Sequence, residues 1–155
     1  MMIIALMGSQ VNQQSAFIER MAKDIAPDFR IKRVNLSQSL KSMPARITAI
    51  NKAIAAGCAP DEALIFTGVT SMREVEILMK RKAVFGIFAG ALPRLFMREG
   101  LEIGDGFHFV HINPPELETA AKRALYSNPE ELFSVAWLAE RKRRRMPEGV
   151  AYAAC

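Results

Sequence analysis

The sequence predicts a doubly wound α/β domain: a single, mainly parallel, five-stranded sheet with helices on both faces. Three observations lead there. Short apolar runs and stretches of helical periodicity alternate five times along 155 residues. Two-residue hairpin turns of the Asn-Gly kind are missing, so successive strands need crossover connections. The first apolar run is continuous rather than alternating, the pattern of a strand covered on both faces.

That run is Met2 to Met7, closed by Gly8-Ser9. Ala16, Phe17, Ile18, Met21, Ala22 and Ile25 then recur at helical spacing until Pro27 stops them. Phe29 to Leu36 alternates in period two, as a strand nearer the sheet edge does. Ile47, Ile50 and Ile54 mark the next helix, ended by Gly57. Residues 63–69 read as a third strand. Ser71 and Glu74 follow at capping-box spacing, ahead of Val75, Leu78 and Met79. Residues 83–88 and 107–112 read as the fourth and fifth strands, and residues 91–106 between them as a lid-like segment with a short helix. Asn113 and Asn128, each followed by proline and acids, start the last two helices. The domain spans residues 1–146, and 147–155 form a tail.

Half of the residues are hydrophobic and 24% are charged, which excludes disordered, collagen-like and low-complexity classes. No apolar run approaches the roughly 18 residues a membrane helix needs. The start lacks a basic leader, so the expectation is a cytoplasmic protein without a membrane segment. Cys58 and Cys155 are the only cysteines, too few for a disulfide scaffold. His108 and His111 stand three apart in a strand and face opposite sides, so no shared metal is expected. The formal net charge is +5, and the run Arg141, Lys142, Arg143, Arg144 and Arg145 accounts for all of it. A docked helix end favoured by cations is the plain reading of that run. Five adjacent cations repel one another, however, and an acidic protein surface or nucleic acid would relieve them.

The turn from Gly8 to Ser15 leaves a strand and opens a helix. A phosphate-cradling P-loop reads G-x-x-x-x-G-K-[ST] in that context. Gly8 and Ser15 fit, while Gln13 takes the second glycine position and Gln14 the lysine position. Gly8, Ser9, Gln13, Gln14 and Ser15 are therefore candidate phosphate-binding residues. Gln14 would act through neutral hydrogen bonds and Ser15 through a magnesium ion. An ordinary strand–glycine–helix turn is the alternative.

Three further stretches make the whole chain resemble the deoxynucleoside monophosphate kinases found largely in tailed bacteriophages, a P-loop family. Val34 to Lys41 is similar to the segment reading S-F-A-D-P-L-K-E after that family's second strand, keeping Leu40 and Lys41. Gly68 to Glu76 is similar to its D-V-R-x-x-x-E-x-E, keeping Val69, Glu74 and Glu76. His108 to Asn113, leading into Glu116-Leu117-Glu118, is similar to its last strand and helix. The resemblance implies a phage or prophage setting and ATP with magnesium as the ligand. It places Ser37 and Lys41 on the monophosphate side and makes Arg94 and Arg98 lid arginines, where a solvated helix face is the plainer account. The departures fall on the chemistry: the lysine, its glycine, the third-strand acid and its arginine are replaced by Gln14, Gln13, Gly68 and Thr70. Phosphoryl transfer depends on positioning and charge stabilisation. The implied protein is thus catalytically degenerate, with no catalytic residue, and either binds a nucleotide or phosphate weakly or engages a macromolecule.

Met2 to Ser9 with Ser15 also resembles the opening of flavodoxin-like FMN reductases, whose G-S-x-R-x-x-S loop holds the flavin phosphate, although the arginine is missing. Strand order separates the two. It is 2-3-1-4-5 for the kinase family and 2-1-3-4-5 for the flavodoxin-like one.

Overall fold

A computed structural model describes residues 1–8, 11–25, 29–36, 42–88, 100–102, 104–113 and 119–145. Strand β1 (Met2–Met7) is buried at every position, which requires neighbours on both edges and cover on both faces. It lies at the centre of a five-stranded sheet with β2 (Arg30–Asn35), β3 (Glu62–Val69), β4 (Val84–Phe88) and β5 (Phe107–Val110). The order is β2-β3-β1-β4-β5, and every neighbouring pair is parallel. β2, whose sequence alternates, is an edge strand as expected.

The alternation of β1 divides the core between two faces. Ile3, Ala5 and Met7 pack with Ile50 and Ile54 of α2 (Met43–Ala56) and with Val75 and Leu78 of α3 (Met72–Lys80). Met2, Ile4 and Leu6 pack with Phe17, Ile18 and Met21 of α1 (Val11–Asp24). Leu132, Phe133 and Ala136 of the last helix join them there. Each such side chain, fully buried, contributes about 1.5–3 kcal/mol of hydrophobic free energy.

Local signals fix most helix ends. Ser42 and Ser71 cap α2 and α3, and Ser71 with Glu74 closes a reciprocal capping box. α2 stops at Gly57, whose N–H reaches the carbonyls of Ala53 and Ile54. The last helix, α5 (Pro129–Arg145), starts from a second reciprocal pair, Asn128 with Glu131. α3 ends with Lys82 in the left-handed region at φ 60, a conformation costing a residue with a Cβ about 1–2 kcal/mol. Several boundaries differ from the sequence reading. α1 begins at Val11, well before its apolar stripe. β5 stops at Val110, and only a single bridge to Ser127 continues past it. After Asn113 the described helix is the short α4 (Ala120–Leu125). Leu101, within the span read as lid-like, is buried in the core. Residues 89–99, 103, 114–118 and 146–155 lie outside the described set.

α5 runs down its face to the amino edge of the sheet, and Gly86 lets it approach. A Cβ there would stand 2.8 Å from Leu6 Cδ2 and 3.0 Å from Leu132 Cδ2. The buried stripe Leu132, Ala136 and Glu140 ends in a carboxylate. Glu140 accepts from the Met1 ammonium at 2.6 Å, from Arg143 at 2.5 Å and from Arg144 at 3.2 Å. Arg143 donates onward to the Met1 and Lys82 carbonyls, and Arg144 to that of Pro60. One helix end therefore ties together the lead-ins of β1, β3 and β4.

Burial alone would raise the Glu140 carboxyl. Hydrogen bonds from the terminal ammonium and Arg143, with their charges, outweigh it and hold its pKa at about 2. A depressed carboxylate stabilises the fold above its unfolded value near 4.5, and the contribution disappears as pH falls towards 2. The expected size is about 3 kcal/mol. Thermal unfolding of wild type and Glu140→Gln should show a large stability gap at pH 6 that narrows progressively below pH 4.5. A gap independent of pH would contradict the ion cluster.

Candidate functional site

At the carboxyl edge the connections from β1 and β3 diverge. β1 leads into α1 on one face and β3 into α3 on the other, so a crevice opens between their tips, where open α/β sheets hold ligands. One side chain spans that crevice. Ala5 pairs with Phe66 but Met7 with Val69, so β3 carries an extra residue as a bulge. Gly68 sits in it at φ 77, a conformation glycine adopts without steric cost. Its N–H donates to Gln14 Oε1 at 2.8 Å, and Gln14 Nε2 donates to the Gly8 carbonyl at 2.8 Å.

Both ends of the Gln14 carboxamide are thus consumed by backbone, and the side chain is 2% exposed. The carboxamide read as a neutral phosphate ligand in a lysine's place is here bonded to the Gly8 and Gly68 backbone. α1 also takes over at Val11, so only Gly8, Ser9 and Gln10 separate strand from helix. A loop winding around a phosphate needs the residues through Gln13 free of the helix. Ser15, read as a magnesium hydroxyl, instead accepts a hydrogen bond from the Arg33 guanidinium of β2. A cation there opposes a second one. Gly8 stands at the crevice with φ 81, and Gln13 is exposed on the first turn of α1. Ser9, Ser37, Lys41, Arg94 and Arg98 lie outside the described residues.

Beside Gln14, a buried ion pair organises the tips of β2 and β3. Arg46 Nε donates to Glu74 Oε1 at 2.5 Å, and its Nη atoms donate to the carbonyls of Leu36 and Gly68 and to the Thr70 hydroxyl. Glu74 Oε2 accepts from the N–H groups of Thr70 and Ser71 and from the Ser71 hydroxyl. The capping carboxylate therefore also neutralises a buried arginine. Arg46 is absent from the sequence reading, yet it left a signal. It stands four before Ile50 and eight before Ile54, on the buried stripe of α2. Thr67, in the bulge, has a buried hydroxyl with no partner among the described residues.

On the other side of α1 lies a cavity of about 260 Å³ lined by Asn12, Gln13, Ala16, Phe88, Val110, His111 and Ile112. Sequence reasoning found only Gln13 there as a ligand. The rest come from the ends of three elements that are distant in sequence. His111 Nδ1 accepts the Asn113 N–H at 3.0 Å, which leaves the ring proton on Nε2. The walls are apolar, the polar groups are amides and an imidazole, and the first turn of α1 favours negative charge beside them. Such a site can hold a flat ligand with a hydrogen-bonding edge. Its described lining brings no permanent charge to a reacting bond.

Other candidate groups play structural parts. Burial raises the Cys58 thiol, which donates to the Glu62 carbonyl, and burial lowers His108. Among the described residues no three His, Cys, Asp or Glu side chains converge on a metal position, and no helix is long and apolar enough to cross a membrane. Arg143 and Arg144 are engaged with Glu140, and Arg144 lies over the Trp137 ring at 5.4 Å. Arg141, Lys142 and Arg145 are exposed. No family model, curated protein or solved structure matches this chain.

Two substitutions test the crevice. Gln14→Lys keeps a donor for Gly8 but removes the acceptor of the Gly68 N–H. Leaving that group buried and unpaired costs about 1–3 kcal/mol, and the melting temperature should fall by about 2–4 °C per kcal/mol. Thr67→Val removes an orphaned hydroxyl at nearly constant shape and should raise the melting temperature. A lower value would show that the hydroxyl has a partner in solution.

Proposed function

We propose that this chain is a catalytically degenerate nucleoside monophosphate kinase-like protein that binds a nucleotide weakly and transfers no phosphoryl group. The sheet order β2-β3-β1-β4-β5 is the observation that carries the reading, since it is the order of the kinase family the sequence resembles. The flavodoxin-like alternative needs β2 beside β1, and here β3 stands between them.

Degeneracy follows from the crevice. A kinase of this class places a lysine, a magnesium ligand and a wound backbone loop around the moving phosphate. In this chain Gln14 is turned into the backbone, Ser15 is bonded to Arg33, and the helix starts at Val11. What remains is the helix start and the adjoining cavity. The base and sugar of a nucleotide would occupy the cavity against Phe88, Val110 and Ile112, near the His111 donor. The phosphates would point to the N–H groups at the start of α1.

With ATP, magnesium and each of the four deoxynucleoside monophosphates, a coupled ADP-release assay should show no turnover. Rates of about 1–100 per second would overturn the degenerate reading. Titration of ATP followed by NMR should shift the signals of Asn12, Gln13 and His111 with a Kd of about 1 mM or weaker. FMN should not bind more tightly than ATP. Signals unmoved by ATP, by monophosphates and by phosphate would leave the cavity without a nucleotide role and sink the proposal.

A further inference from the structure

Two basic clusters far apart in the sequence meet at the amino edge of the sheet. Arg143 Nη1 donates to the Lys82 carbonyl at 3.4 Å across 61 positions, laying the last turn of α5 against the turn between α3 and β4. Arg143 and Arg144 both pair with Glu140, which the Met1 ammonium also contacts. Lys80 at the end of α3, Arg81 and Lys82 of the turn, and Arg141, Lys142 and Arg145 of α5 are all exposed. None of these six side chains has an ion pair or hydrogen bond among the described residues. Of the nearby acids, Asp61 and Glu62 are occupied by Arg30, and Asp105 is exposed in the turn that packs beside Ala83. Six exposed cations therefore share one edge, opposite the cavity.

A second observation is independent of the charge. Lys82 is the one non-glycine residue with positive φ among the described residues, at φ 60. It occupies the position after a helix where glycine or asparagine is usual, with the Ala83 N–H returning to the Leu78 carbonyl. A lysine kept there against a backbone cost points to a use for its side chain.

The chemistry of the partner follows from what the patch contains. Protein interfaces centre on buried apolar and aromatic anchors. Here the exposed apolar side chains are Met1 at the edge itself and Met79 and Leu138 on helices of opposite faces, and the six cations outnumber them. Interfaces with nucleic acids are polar and strongly positive, and guanidinium forks match phosphate oxygens. We propose that the amino edge is a nucleic-acid-binding face. In it Lys80, Arg81 and Lys82 act jointly with Arg141, Lys142 and Arg145 to hold a polynucleotide by its phosphates, without reading base edges. The proposal stands apart from the nucleotide reading, because none of these residues lines the cavity.

Fluorescence polarisation with labelled DNA duplexes of about 20 base pairs and two unrelated sequences tests it. Both duplexes should bind equally, and affinity should drop about a hundredfold or more between roughly 50 and 200 mM salt. Changing residues 80–82 together to glutamine, or Arg141, Lys142 and Arg145 together, should each weaken binding about tenfold or more, with unchanged circular dichroism. Lys52→Gln, on the exposed side of α2, should bind as wild type does. Lys82→Gly should raise the melting temperature while weakening DNA binding, a combination that a purely structural turn would not give. No duplex binding at the lowest salt would overturn the proposal. So would full affinity in the 80–82 variant, or equal binding of poly-glutamate, which would reassign the face to an acidic protein.

Discussion

A backbone N–H turned out of its ladder by a bulge has to find an acceptor, and at Gly68 that acceptor is the Gln14 carboxamide. This single requirement shapes the carboxyl edge. It draws the first helical turn of α1 over the tip of β3, and through Gln14 Nε2 it fixes the Gly8 carbonyl at the tip of β1. The Gly68 carbonyl meanwhile receives Arg46, which brings Glu74 and the start of α3 into the same network. Gln14 and Gly68, 54 positions apart, are hydrogen-bonded to each other. Together with the Gly8 carbonyl they form a staple between the tips of β1 and β3. Among the described residues, the helix start and the neighbouring cavity are accessible at this edge.

The amino edge has a different organising charge. Glu140 is a buried acid on an apolar stripe, and its cost of desolvation is met by two arginines and the terminal ammonium. It thereby divides the basic run: Arg143 and Arg144 pair with Glu140, while Arg141, Lys142 and Arg145 form no ion pair among the described residues. The sheet separates the two edges by the length of its strands.

Features that rest on bonds between near neighbours were legible in the sequence. The Ser71–Glu74 and Asn128–Glu131 caps each close within three residues, so spacing alone reveals them. The burial of β1 and the edge position of β2 were legible because side-chain alternation reports how many faces are covered. The site was less legible. Gln14 and Gly68 are 54 positions apart, and Arg46 and Glu74 are 28 apart. A polar residue in a turn looks the same whether it faces a ligand or a buried carbonyl. The cavity was hidden for a related reason, since its apolar walls read as ordinary core.

The sequence by itself determined the class of fold, the alternation of strands and helices, most of the caps and the total charge. These follow from periodicity, local hydrogen bonding and composition, which need no knowledge of what lies across the sheet. Tertiary structure alone decided the strand order, the fate of the Gln14 carboxamide, the burial of Arg46 and Glu140, and the meeting of Lys82 with Arg143. Each of those depends on which distant backbone groups are left without partners once the sheet is assembled. Only the assembled sheet shows which polar side chains are drawn in to satisfy them.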